Sequence, residues 1–197
     1  MKQKSQFFSP LDAVFSAPTH TMVLRALMEF PHGLSGRALA RAARVNHQAC
    51  ALAVRRLEAL GVVRRQGEGR TRLVTLDHRS HLVHDLLLHA FRKEKSLRES
   101  ALGEIRQLAS RHALSATLFG GANLLLVAGE TMGRQVLMGT AEGFRQDLAR
   151  KFGVSLSVTV LSTRELQMRL EMGDMGLERA LKEGIELGPK SLRAALQ

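Results

Sequence analysis

Four histidines and an aspartate crowd one short segment: His78, His81, His84, Asp85 and His89. His81, Asp85 and His89 are spaced four apart, which on a helix puts them on one face, as zinc ligands can be. The same residues also form the polar face of a helix whose apolar side is Leu82, Leu86 and Leu87. The polar-face reading is adopted, with metal-responsive regulation as the alternative, so no metal ligand, cofactor or catalytic residue is assigned. Cys50, the single cysteine, falls on the apolar side of a helix and is read as inert and buried rather than redox-active. His47 and Gln48 differ from these. They precede the buried positions of that helix, have no packing reason to be polar, and carry the groups that read base edges of a nucleic acid.

Charge points the same way. The chain carries 29 Lys+Arg against 18 Asp+Glu, a net charge of +11. Residues 1–112 hold 19 and 9 of these, a net +10, whereas residues 113–197 hold 10 and 9, a net +1. A genome-wide bias toward arginine would spread the excess, but here it sits in one half, as expected of a polyanion-binding domain. Tyr and Trp are absent, which argues against stacking on the splayed bases of RNA or single strands. One cysteine allows no internal disulfide. No stretch nears the roughly 20 apolar residues of a membrane span, and Pro10 and Pro18 interrupt the N-terminal segment where a signal peptide would sit. A cytoplasmic protein with no membrane partner is expected.

The elements that would position these side chains follow from periodicity. Thr19–Phe30 reads as a helix through Met22, Val23, Leu27 and Phe30, and Pro31–Gly33 ends it. Ser35 caps a short helix to Ala43 that carries Arg37. Asn46 caps a third, to about Leu60, with Cys50, Ala53, Val54, Leu57 and Leu60 inward and Arg55 and Arg56 outward. Gly61 follows its end. Two β-prone stretches, 62–65 and 71–76, flank a Gln66-Gly67-Glu68-Gly69 tip and offer Arg64, Arg65, Arg70 and Arg72 to phosphates. Ahead of all this, Phe7, Phe8, Leu11, Val14 and Phe15 form an apolar cluster for this chain's own core or a second subunit.

Helix, helix, turn, helix, hairpin is the order of a winged helix-turn-helix. The segment ARVNHQACALAVRRLEALGVVRRQGEGRTRLVTL resembles the recognition helix and wing of that superfamily. The resemblance implies binding to double-stranded DNA, with Ser35, Arg37, Asn46, His47, Gln48, Arg55, Arg56, Arg64, Arg65, Arg70 and Arg72 as the contact set.

Beyond it, Leu82, Val83, Leu86, Leu87 and Phe91 continue a helical pattern, and Arg92–Ser96 marks the domain junction. A second run aligns Leu97, Ala101, Ile105 and Leu108. The period then changes. Strands are expected at 115–119, 122–127 and 154–161, and helices at 141–152, 163–172 and 174–187. Gly120-Gly121 would form a two-residue hairpin turn if the first two strands are antiparallel. The methionines of this half, Met132, Met138, Met168, Met172 and Met175, are expected to fill core.

Over about residues 97–188 this half resembles the minimal nucleotidyltransferase fold, through ATLFG, ANLLLVAG, VSLSVTVLSTREL and GDMGLERALKEGIELGP. That family holds Mg²⁺ on three strand carboxylates. Gly121, Asn123 and Ser157 stand at the matching positions, Glu130 lies beyond the strand, and the phosphate-binding segment is missing. The resemblance thus implies an inactive module for dimerisation or effector binding. The expected protein is α+β: a winged helix-turn-helix over 1–79, a helical connector over 80–96, and a small α/β nucleotidyltransferase-like domain with a mixed sheet over 97–197. Its expected function is transcriptional regulation as a homodimer, with or without an effector. An active nucleotidyltransferase and a toxin–antitoxin interaction protein are the alternatives.

Overall fold

The computed structural model describes residues 9–67, 72–129 and 133–197. Phe7, Phe8, Arg70, Glu130, Met132 and the hairpin tip 68–69 lie outside the described residues. The chain divides into two units, Met1–Glu94 and Lys95–Gln197. None of the described helices is long and apolar enough to cross a membrane.

The first unit runs α1 (Pro10–Val14), α2 (Pro18–Glu29), β1 (Leu34–Ser35), α3 (Gly36–Ala42), α4 (His47–Ala59), β2 (Val63–Gln66) and β3 (Leu73–Leu76). Proline opens both α1 and α2, where its missing N–H costs nothing. β2 and β3 are an antiparallel hairpin, and β1 pairs with the far edge of β3 to give the order β1-β3-β2. β1 escaped the periodicity because two residues make no pattern. Leu24, Leu27, Leu39, Cys50, Val54, Leu57, Val63 and Val74 form the core. From the N-terminal apolar cluster, Val14 joins this core, and His20 Nδ1 donates to the Val14 carbonyl at 3.0 Å. Leu11 on α1 and Phe15 just past its end stay exposed.

Leu82–Leu87 is a π-helical stretch that leads into α5 (Leu88–His112). The wider turn inserts a residue into the 3.6-residue phase. Val83, Leu87, Leu88 and Phe91 are therefore buried, while Leu86, expected inside, is 47% exposed. The unit boundary falls inside unbroken helix. In the second unit Ala101, Ile105, Leu108 and Ala109 are buried, but Leu97, also expected inside, is 52% exposed.

The second unit continues with β4 (Ser115–Phe119), β5 (Asn123–Ala128), α6 (Arg134–Phe152), β6 (Ser157–Ser162), α7 (Thr163–Glu171), α8 (Met175–Glu183) and β7 (Ile185–Glu186). The sheet order is β6-β5-β4-β7. It is mixed, with β4 antiparallel to β5 and β7, and β5 parallel to β6. Alternation along β5 feeds two cores. Leu124 and Leu126 meet Ile105, Leu137, Ala141 and Leu148 on one face, and Leu125 and Val127 meet Leu161, Leu166, Leu177 and Leu192 on the other.

Phe119 pairs with Asn123, so the hairpin loop is Gly120-Gly121-Ala122, three residues rather than two. Both glycines take positive φ, 57° and 84°. α6 starts at Arg134, not 141, its first half masked by glycines and exposed Val136. The last helix stops at Glu183 instead of 187. A Cβ on Gly184 would collide with Ala180 O and Thr117 Cγ2, and this close approach turns the chain into β7 against β4. Met138, Met168, Met172 and Met175 are exposed, not core, because leucines fill both faces of the sheet.

Candidate nucleic-acid interface

α4 is placed by its caps. Asn46 Oδ1 accepts the Ala49 amide at 2.7 Å, and Ser35 Oγ accepts the Ala38 amide at 3.3 Å at the start of α3. The side-chain oxygens of these two predicted contact residues thus orient the helices. Between α3 and α4, the Val45 amide bonds the Ala40 carbonyl and the Arg44 amide bonds the Arg41 carbonyl. That is a Schellman turn. Arg44 fills its left-handed position at φ 54°, where glycine is usual.

Along α4, Cys50, Ala53, Val54 and Leu57 are buried. His47, Gln48, Leu52, Arg55, Arg56 and Ala59 are exposed. At 100° per residue Gln48, Leu52 and Arg55 form one outward ridge, with Arg56 at its flank. Burial holds the Cys50 thiol above its ordinary pKa, as inertness requires.

Cross-strand register sorts the wing arginines. Arg65 pairs with Val74 and so lies on the core-facing side of the hairpin, while Arg64 pairs with Thr75 and lies on the other. Arg65 and Arg72 line a shallow cavity of about 200 Å³ together with Gly36, His47, Ala51 and Val54. Arg65 Nε also stands 3.6 Å from Glu58 Oε2. The structure therefore gathers His47, Arg65 and Arg72 beside the first turns of α4 and leaves Arg64 on the opposite face, while Arg37 is exposed on α3. The exposed Leu52 and left-handed Arg44 were not among the predicted contacts. A helical wheel through Gln48 and Arg55 finds Leu52, but nothing in the sequence marks the φ of Arg44.

The histidine cluster resolves into pairs. His81 Nδ1 and His84 Nδ1 reach the two oxygens of Asp85 at 2.9 and 2.7 Å, and these bonds hold its carboxyl below the ordinary range. Among the described residues no three His, Cys, Asp or Glu are grouped to hold a metal.

In the second unit, Asn123 and Ser157 are direct cross-strand partners at the hairpin end of the sheet, with Gly121 in the adjoining turn. β4, β5 and β6 carry no carboxylate. A cavity of about 260 Å³ opens between α5 and α6, lined by Glu104, Arg111, His112, Phe144 and Lys151. Lys151 and Glu104 are paired across it at 3.0 Å.

A braced outward helix beside a basic hairpin defines the first unit as a winged helix-turn-helix domain. Residues 17–72, from the approach to α2 into the wing, match the MarR family. The match covers only this domain and leaves the second unit unassigned. No curated protein matches the chain.

Proposed function

We propose that the protein is a transcriptional regulator that binds specific double-stranded DNA sites as a homodimer. The observation that carries this reading is the exposed polar start of α4, His47 and Gln48, with His47 beside Arg65 and Arg72 of the wing. Base-edge donors and acceptors on a capped helix, flanked by phosphate-binding cations, are what major-groove readout needs. The net +10 of residues 1–112 supplies the polyelectrolyte attraction. One winged helix buries little DNA, so specificity of useful size comes from paired half-sites and hence from a dimer. Exposed Leu11 on α1 and Phe15 just past its end are one surface suited to it.

The second unit, in this reading, is a nucleotidyltransferase-like module without catalysis, serving dimerisation or effector binding. Phosphoryl transfer needs carboxylates that bridge Mg²⁺ to the triphosphate. Neutral Asn123 and Ser157 stand at the matching places, and the hairpin leaves no phosphate-cradling segment between β4 and β5.

Selection of duplexes from a randomised library by the full chain tests the reading, with light scattering in parallel. Enrichment of one repeated motif and a dimer mass are expected. Failure to enrich any sequence overturns the assignment.

A further inference from the structure

Leu52 is 43% exposed in the middle of α4, yet it contributes nothing to the core beneath it. A leucine left in water forgoes the free energy of burial, and this one stands on the outward ridge of the helix that the proposed function sets in the major groove. Its neighbours on the ridge are polar: Gln48 one turn before and Arg55 one turn after. The helical rise puts Gln48 and Leu52 about 6 Å apart along the axis and Leu52 and Arg55 about 4.5 Å. Together they span about 10 Å, the length of about three base-pair steps of about 3.4 Å.

Resting on the DNA-binding reading above, we infer that Leu52 is a specificity residue that reads the C5-methyl group of a thymine in the major groove. Only one group on the major-groove edge of a base pair is apolar, and it is that methyl. An exposed aliphatic side chain held between two base-reading polar ones finds its complementary surface on the major-groove base edges there. Gln48 matches the adjacent donor and acceptor of adenine, and Arg55 the two acceptors of guanine. The ridge therefore reads a short step in which a thymine lies between the base pairs met by Gln48 and Arg55, on either strand. Arg56 on the flank, with Arg65 and Arg72 on the wing, supplies the opposite charge that holds this face against phosphates.

The test uses the full chain and a duplex it selects from a randomised library, resynthesised with each thymine replaced in turn by deoxyuridine. That exchange removes one methyl and changes no hydrogen bond. At one position per half-site, wild-type affinity should fall about four-fold, the factor that burial of one methyl supplies. Leu52→Ala and Leu52→Gln keep good helix formers at an exposed site, so both should fold. Both should bind the thymine duplex about as weakly as wild type binds the uracil one, with no further loss on the exchange. A selected site without thymine, no sensitive position in wild type, or full sensitivity retained in both variants would each overturn the inference while leaving DNA binding intact. Variants that keep the motif but lose self-association would overturn it in favour of a protein contact. No enrichment at all would sink the DNA-binding reading itself.

Discussion

The backbone amide of Val45 donates to the carbonyl of Ala40 at 3.0 Å, closing the turn that sets α4 against α3. The bond requires a left-handed residue between them, and the sequence provides Arg44 at φ 54°. A side chain there strains the backbone. Arg44→Gly should therefore stabilise the first unit by about 1 kcal/mol, raising its thermal midpoint by several degrees. Arg44→Val should lower it. Calorimetry of the full chain distinguishes the two, and a lower midpoint for Arg44→Gly would contradict the turn described.

Asn46→Ala removes the acceptor for the Ala49 amide and should cost about 1 kcal/mol of stability. It should also weaken DNA binding, because fraying of the first turn displaces His47 and Gln48. Gln48→Ala, at an exposed position, should weaken binding without moving the thermal midpoint. The pair of measurements separates positioning from contact.

The two faces of the hairpin predict unequal salt responses. Arg65 and Arg72 lie on the side shared with α4. Replacing either with Ala should flatten the plot of log affinity against log salt by about 0.9 for each phosphate no longer neutralised. Arg64→Ala, on the opposite face, should leave the slope unchanged. Equal effects of all three would place the wing on DNA differently.

At the free edge of β6, Arg134 Nε donates to the Val160 carbonyl, and Glu165 accepts the Ser162 amide at 2.8 Å. That amide, with the Ser162 hydroxyl, holds the Glu165 carboxyl below its ordinary value of 4.5. The folded state thus favours the ionised form. Its stabilisation is complete above about pH 4.5 and fades as pH falls through the lowered folded pKa. Glu165→Gln should remove this part of the acid dependence of unfolding, and Arg134→Ala should promote self-association by baring the edge. Thermal midpoints across pH 3–7 read the first, and light scattering reads the second.

Much of this architecture is legible in the residues themselves. Ser35 and Asn46 stand out as caps because short polar side chains precede apolar helical patterns, and both make the bond expected of them. β5 is legible as a buried strand because every residue from Leu124 to Ala128 is apolar. What stayed hidden depends on backbone geometry or distant contacts. The π-helical turn at Leu82–Leu87 rephases a helix without changing its composition. β1 and β7 are two residues long and exist only because β3 and β4 offer them an edge. At the candidate interface the outward positions of His47 and Gln48 follow from the helical period, but the separation of Arg64 from Arg65 needed the register.

Asn123→Asp with Ser157→Asp would seat two carboxylates side by side on β5 and β6. Nucleotide transfer should still be absent with Mg²⁺ or Mn²⁺, because no phosphate-binding segment accompanies them. Wild-type turnover that Glu130→Gln abolishes would instead revive an active transferase.

In the proposed function the exposed face of α4 reads sequence, and one binding comparison tests this most directly. Fluorescence anisotropy would follow the full chain on its selected duplex and on a scrambled duplex of the same length, for wild type and for His47→Ala/Gln48→Ala/Arg55→Ala. Wild type should prefer the selected duplex by at least ~10³-fold. The triple variant should lose most of that preference yet keep measurable, salt-sensitive affinity for both duplexes. A preference that survives the three substitutions intact would contradict the claim.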